Sequence, residues 1–165
     1  MPELISERLR LVPLMGRMKA AMQVSRDAFA EAIGASLPEG WPEFPEAFQG
    51  DTADPTTEWT GYLFLSRDGT ALVGNGGFVA PPDADGVVEI GYEIAPSLRG
   101  QGYATEAARR LVDYAFGAGA KTVIAHSLAE TNASNSVMRK LGMRFAGEQE
   151  AEGMKIWRWQ VEKAD

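Results

Sequence analysis

Charged and apolar residues alternate through Arg8-Leu9-Arg10-Leu11-Val12, which predicts a first strand that Pro13 ends. Met18, Ala21, Met22 and Ser25 recur at helical spacing and predict a helix over Met15 to Ala30. Two strands are predicted over Gly61 to Ser66 and Ala71 to Val79, joined as a hairpin by the turn residues Arg67-Asp68-Gly69-Thr70. After the turn at Pro81 to Gly86, a fourth strand runs over Val87 to Ala95 and stops at Pro96. Ala104, Ala107, Ala108, Leu111, Val112 and Ala115 then form one apolar stripe, the mark of a helix over about Thr105 to Phe116, closed by Gly117 and Gly119. A fifth strand is expected over Lys121 to Leu128, a short helix over Asn132 to Leu141, and a final hairpin from Phe145 to Glu150 and Met154 to Val161. The strand, helix, strand run from Val87 to Leu128 suits a parallel pair with a right-handed crossover.

Leu37 to Pro55 breaks this regularity. Pro38, Pro42, Pro45 and Pro55 interrupt hydrogen-bonded structure, while Trp41, Phe44 and Phe48 favour burial. Two readings stay open: a short helix flanked by loops that closes over a pocket, or a loop packed on the core.

Composition narrows the chemistry. The chain of 165 residues suits one domain, taken as 1–165, and its 45% hydrophobic and 24% charged content is that of a soluble globular protein. No stretch is apolar enough for a membrane span, and the opening Met1-Pro2-Glu3-Leu4 lacks a secretory pattern, so a cytoplasmic protein is expected. The absence of cysteine excludes disulfides, thiolate metal sites and a cysteine nucleophile, and the single His126 argues against a histidine metal site. A net charge of −7 without a basic run argues against a nucleic-acid partner and weakly favours a cationic acceptor.

The turn Arg99-Gly100-Gln101-Gly102-Tyr103-Ala104 lies between a proline-terminated strand and a helix. Glycine permits a tight turn and close approach of a ligand. The first amides of a helix lack internal partners and attract a phosphate or pyrophosphate, to which Arg99 could add a charged contact. No Lys-Ser or Lys-Thr follows, so this is not a P-loop; a third glycine is missing for the dinucleotide fingerprint.

The segment from Glu89-Ile90-Gly91-Tyr92-Glu93-Ile94-Ala95-Pro96 through Ala107 resembles the central motif of the GNAT superfamily of acyl-CoA-dependent N-acyltransferases, with Arg99, Gly102 and Ala104 at its Arg/Gln-x-x-Gly-x-Gly/Ala spacing. Asn132-Ala133-Ser134-Asn135 through Met143 is similar to the family's last helix, and Ser6-Glu7-Arg8-Leu9-Arg10-Leu11 to the first strand of its RimJ/RimL-type subgroup, which acetylates ribosomal-protein N-termini. The resemblance implies an α+β (mixed α/β) GNAT fold: a mostly antiparallel sheet of about seven strands whose fourth and fifth strands splay apart around acetyl-CoA. It implies that the pantetheine arm pairs with the backbone of Ile94 and Ala95. The pyrophosphate would sit on the amides from Gly100 through Gln101, Gly102 and Tyr103 to Ala104, and Asn132 and Asn135 would line the far wall. No metal is implied. The partners are acetyl-CoA and an amine acceptor; family members are often homodimers, a point the sequence does not decide.

Acetyl transfer needs a neutral amine, and amines have a pKa of about 10 on a lysine side chain and about 8 at an α-amino group. A general base is therefore expected. The resemblance puts it at Glu89, with Glu93 on the same strand face as the alternative unless a bulge near Tyr92 intervenes. Family members often carry a tyrosine acid in the last helix, where this chain has Met138. In the RimJ/RimL-type subgroup a serine is proposed instead, and Ser134 matches it, with helix capping as the competing role. His126, facing the cleft or the core, is a candidate relay or a structural residue. Tyr92 and Tyr103 are read as packing or cofactor-wall residues. The departure at Met138 also leaves open a module of the same fold that binds acyl-CoA without turnover.

Overall fold

A computed structural model describes residues 2–128 and 133–164. In chain order the elements are β1 (Leu4–Ile5), β2 (Leu9–Pro13), α1 (Gly16–Val24), α2 (Arg26–Ile33), a 3₁₀ turn (Pro45–Phe48), β3 (Gly61–Ser66), β4 (Leu72–Phe78) and β5 (Val87–Ile94). A second 3₁₀ turn (Pro96–Leu98), α3 (Tyr103–Gly117), β6 (Thr122–Leu128), α4 (Ala133–Lys140), β7 (Arg144–Ala151) and β8 (Met154–Glu162) follow. The strands form one mixed sheet in the order β1-β2-β3-β4-β5-β6-β8-β7.

The sheet has eight strands against an expected seven or so because Leu4 and Ile5 pair with Leu11 and Arg10, a contact too short to leave a periodic signature. The helix expected over Met15 to Ala30 is two helices. Ser25 adopts an extended backbone, and its hydroxyl accepts the Ala28 amide at 3.0 Å, so it ends α1 and caps α2. Serine thus acts as a helix start where the spacing suggested a helix interior.

Each face of the sheet is covered. On one, the stripe of α3 (Ala107, Ala108, Leu111, Val112, Ala115) packs onto Leu9, Leu11, Phe64, Val88 and Ile90. Complete burial of a side chain such as Leu111 contributes about 1.5–3 kcal/mol. On the other, α1, α2 and the proline-rich segment cover Leu63, Leu65 and Leu72. There Phe29, Trp41 and Phe48 meet as a three-ring cluster with centroids 5.3 to 5.8 Å apart. The reading of Leu37 to Pro55 as packed on the core holds for Trp41 and Phe48, while Phe44 is exposed.

β4 and β5 pair antiparallel from Gly74↔Ile94 to Phe78↔Ile90 without a register shift. β5 and β6 run parallel, and their pairing covers Val87↔Thr122 to Glu89↔Ile124. Past Glu89, β6 continues alongside β8 while β5 stays with β4, so the sheet opens into a V. α3 crosses between its two arms.

Candidate active site

At the mouth of the V the chain makes the glycine turn. Gly100 and Gly102 both take left-handed backbone conformations, with φ of 79° and 82°, which only glycine adopts without strain. Gly102 is the N-cap of α3, and no side chain caps the helix there, so the first-turn amides face outward. The turn is braced from the N-terminus. Arg8 donates to the Gln101 carbonyl at 2.9 Å, and its guanidinium lies 4.3 Å from the centre of the Tyr103 ring. Glu106, in the first turn of α3, accepts from the Ser6 hydroxyl, the Arg8 amide and the Arg8 guanidinium. Burial acts to raise the Glu106 pKa, but these donors together hold it below its usual value. Sequence reasoning missed this role for Ser6, Arg8 and Glu106; the only signal was the resemblance of the opening segment to a subgroup.

The other turn residues are engaged differently from what the sequence suggested. The Arg99 guanidinium donates to the Ile94 carbonyl at 3.1 Å and pairs with Glu43, so it ties the turn to the proline-rich segment and is not held out toward a phosphate. The Ala95 amide donates to Val73 and its carbonyl accepts from Leu98, so Ala95 has no backbone group left over for a ligand strand. Glu89 and Ala95 turn their backbone groups toward β4, and by the alternation of a strand Ile94 turns its own toward the gap.

Glu89, Gly91 and Glu93 share the β5 face opposite Val88 and Ile90, as even spacing without a bulge requires. Their situations differ. Both Glu93 oxygens accept backbone amides, from Glu43 at 2.9 Å and Phe44 at 3.2 Å, and the residue is buried. Beside it Asn75, its cross-strand partner, accepts the Trp41 indole N–H at 2.9 Å. Glu93 is thus a latch for the proline-rich segment. Glu89 sits where β5 and β6 part, its side chain 35% exposed, and its Oε2 lies 3.0 Å from His126 Nδ1. His126 faces away from Val123 and Ala125, which enter the core, and its Nε2 is buried with no partner among the described residues.

On the far arm, Ser127 donates to Asn135 at 2.7 Å and accepts the Trp159 indole N–H at 3.1 Å. Asn135 is fully buried, so it fastens α4 to the sheet and does not form an exposed cofactor wall. Met138 is likewise core. Ser134 falls in α4 near its start, and Asn132 lies outside the described residues. Tyr103 opens α3, and Tyr92 packs beside the α3 core. No group of three or more metal-ligating side chains occurs among the described residues. No helix there is long and apolar enough to cross a membrane.

A cavity of about 470 Å³ lies on the Glu93 face, between β3, β4 and β5 and the proline-rich segment.

Residues 8–144 match the acetyltransferase (GNAT) domain family, and the chain belongs to that family. It is similar to the uncharacterized N-acetyltransferase YjdG of Bacillus subtilis, 35% identical over 60 residues, or 36% of each chain; the match thus spans about a third of that relative's length. Its fold is similar to that of a GNAT-family acetyltransferase from Bacillus anthracis (TM-score 0.66, 21% identity, 98% of each chain). A similar likeness holds to RimL, a ribosomal L7/L12 α-N-protein acetyltransferase in complex with coenzyme A (TM-score 0.66, 16% identity, 98% of each chain).

Proposed function

We propose that this chain is a single acyltransferase domain that moves the acetyl group of acetyl-CoA directly to a primary amine, with Glu89 as general base. The observation that carries the reading is the position of Glu89. It is a partly exposed carboxylate on the cleft face at the point where the sheet opens, oriented by His126. Glu93 is a poorer base because two amides already occupy its oxygens.

The donor half of the reaction fits the turn. The outward amides from Gly100 to Ala104 would take the pyrophosphate, with Gly100 and Gly102 giving the close approach. Ile94 would offer its amide to the pantetheine arm along the splayed edge, its carbonyl already accepting from Arg99, with Ala95 setting the bend that follows. The complex of RimL with coenzyme A supports acetyl-CoA as donor. In the transfer the amine nitrogen bonds to the thioester carbonyl carbon and the carbon–sulfur bond breaks. The amine proton passes to Glu89, through water where the distance requires it, and the thiolate takes a proton relayed by the Ser134 hydroxyl. The RimJ/RimL-type subgroup is the reading that the Ser6-Glu7-Arg8 opening supports.

Thiol release from acetyl-CoA with an amine acceptor tests this. Loss of a general base costs about 100-fold or more, so Glu89→Gln should lower kcat on that scale, with acetyl-CoA affinity retained. Full activity of Glu89→Gln across pH would assign the base elsewhere. Coenzyme A binding without thiol release over a broad amine panel would instead favour a sensing module.

A further inference from the structure

The cavity beside the V has a floor without side chains. Gly61 on β3, Gly77 on β4 and Gly91 on β5 are direct register partners, so they form one row across three strands. The next row on the same face is Leu63, Asn75 and Glu93. Folding explains the middle glycine: a Cβ at Gly77 would stand 2.3 Å from the Thr60 carbonyl oxygen. It does not explain the outer two. A Cβ at Gly91 would meet nothing within 4 Å, one at Gly61 would meet only the Leu14 methyl at 4.0 Å, and neither has a left-handed backbone. Glycine inside a strand costs about 0.5–1 kcal/mol relative to alanine and commonly marks close approach of a ligand.

The rest of the cavity says what would approach. Phe44 and Val79, both exposed, overhang the floor, and Leu14, Ala53 and Pro55 close the end over β3. That end wall is fixed: the Gly16 amide donates to Asp54 at 2.9 Å, and the Gln23 side chain donates to the Phe48 and Gly50 carbonyls at 3.1 Å each. Glu46 lines the cavity, with Lys19 across from it already donating to the Asp51 carbonyl. Gly91 lies on the same face as Glu89, about 6.6 Å along the strand. The trough therefore runs from an apolar end over β3 to Gly91, on the β5 face that also carries the proposed base. Its floor of bare peptide planes spans two strand spacings, about 10 Å.

We propose that this trough is the acceptor site and that it takes a small primary amine carried on a flat, apolar ring, the ring lying on the Gly61–Gly77–Gly91 floor and the amine reaching Glu89. This rests on the acetyltransferase reading. A cavity of about 470 Å³ suits a whole small molecule.

The test is a thiol-release panel with 2-phenylethylamine, spermidine and a tripeptide bearing a free N-terminus, run on the full chain and on Gly91→Val and Val79→Asp. The ring amine should exceed the other two in kcat/KM by about tenfold, the scale of one well-filled apolar pocket. Both variants should raise its KM by about tenfold while KM for acetyl-CoA and Tm stay near wild type. A tripeptide or spermidine that outruns the ring amine overturns the proposal, as does a folded Gly91→Val with unchanged KM. If no amine is acetylated, the activity reading fails by itself. Calorimetry of 2-phenylethylamine against the coenzyme A-loaded protein then decides the trough: binding lost in Gly91→Val supports it, and no binding to wild type overturns it.

Discussion

At the scale of single residues, the site depends on which carboxylate has its oxygens to spare. Glu89 and Glu93 are equivalent by strand alternation, and neither the spacing nor the residue type separates them. What separates them is tertiary. The segment carrying Glu43 and Phe44 folds back onto Glu93, while the parallel register Glu89↔Ile124 brings His126 to Glu89. The sequence made Glu89, Glu93 and His126 each a candidate. It could not pair Glu89 with His126, which are 37 positions apart and meet only through the crossover. In the proposed mechanism His126, whose Nε2 is buried with no partner among the described residues, positions Glu89 through Nδ1. His126→Leu should therefore lower kcat about tenfold, near the ~1.5 kcal/mol of a hydrogen bond to a charged group, with KM for either substrate little changed. His126→Asn, which keeps a donor near the Nδ1 position, should recover most of that loss. Equal damage by both substitutions in steady-state kinetics would make the imidazole itself, and not the orientation it gives, the source of the effect.

At the scale of elements, strong periodicity was legible and local exceptions were not. The apolar stripe of α3, the alternation of β2 and the strands β3 to β5 set between turn residues appear where the pattern put them. Ser25, in contrast, sits within a helical spacing yet caps α2, since its hydroxyl competes with the backbone for the Ala28 amide. The glycine turn into α3 was legible from Gly100 and Gly102, but its support was not. The opening segment of the chain reaches across to it, with Arg8 holding both the Gln101 carbonyl and Glu106. A turn with two left-handed glycines is costly to order, so a brace that pre-organises it lowers the cost of binding. Arg8→Ala should weaken coenzyme A binding roughly five-fold by calorimetry and leave the acceptor KM unchanged. Arg8→Lys should restore little, because an ammonium cannot span the carbonyl and the carboxylate as the guanidinium fork does. An acceptor KM that rises in parallel would move the effect from the turn to the whole cleft.

At the scale of the molecule, the same brace joins the two ends of the architecture: Ser6 and Arg8 flank the edge of the sheet, and Glu106 belongs to the helix that crosses the V. Its energetics carry a sign that can be checked. The donors around Glu106 hold its folded pKa below the ordinary range of a glutamate. A depressed carboxylate stabilises the fold above its unfolded pKa and loses that contribution as the pH falls through its folded pKa. Asp68, at the β3–β4 turn, behaves likewise: the Ser66 hydroxyl and then the Thr70 amide and hydroxyl lower it from 3.8 to about 2. It is fully exposed, however, and solvent screening leaves it a minor contributor. Below pH 4 the net charge of −7 also reverses as carboxylates protonate, adding self-repulsion. That repulsion acts on the wild type and a Glu106→Gln variant nearly alike, so comparing the two isolates the brace. Urea unfolding at pH 7 should show Glu106→Gln less stable by about 2 kcal/mol, the scale of hydrogen bonds to a charged acceptor that is partly shielded from solvent. As the pH falls well below 4.5 the gap should close, since Glu106 is then protonated in both folded and unfolded wild type. A gap of equal size at pH 7 and pH 3 would show that shape, and not charge, holds the N-terminal strands against α3.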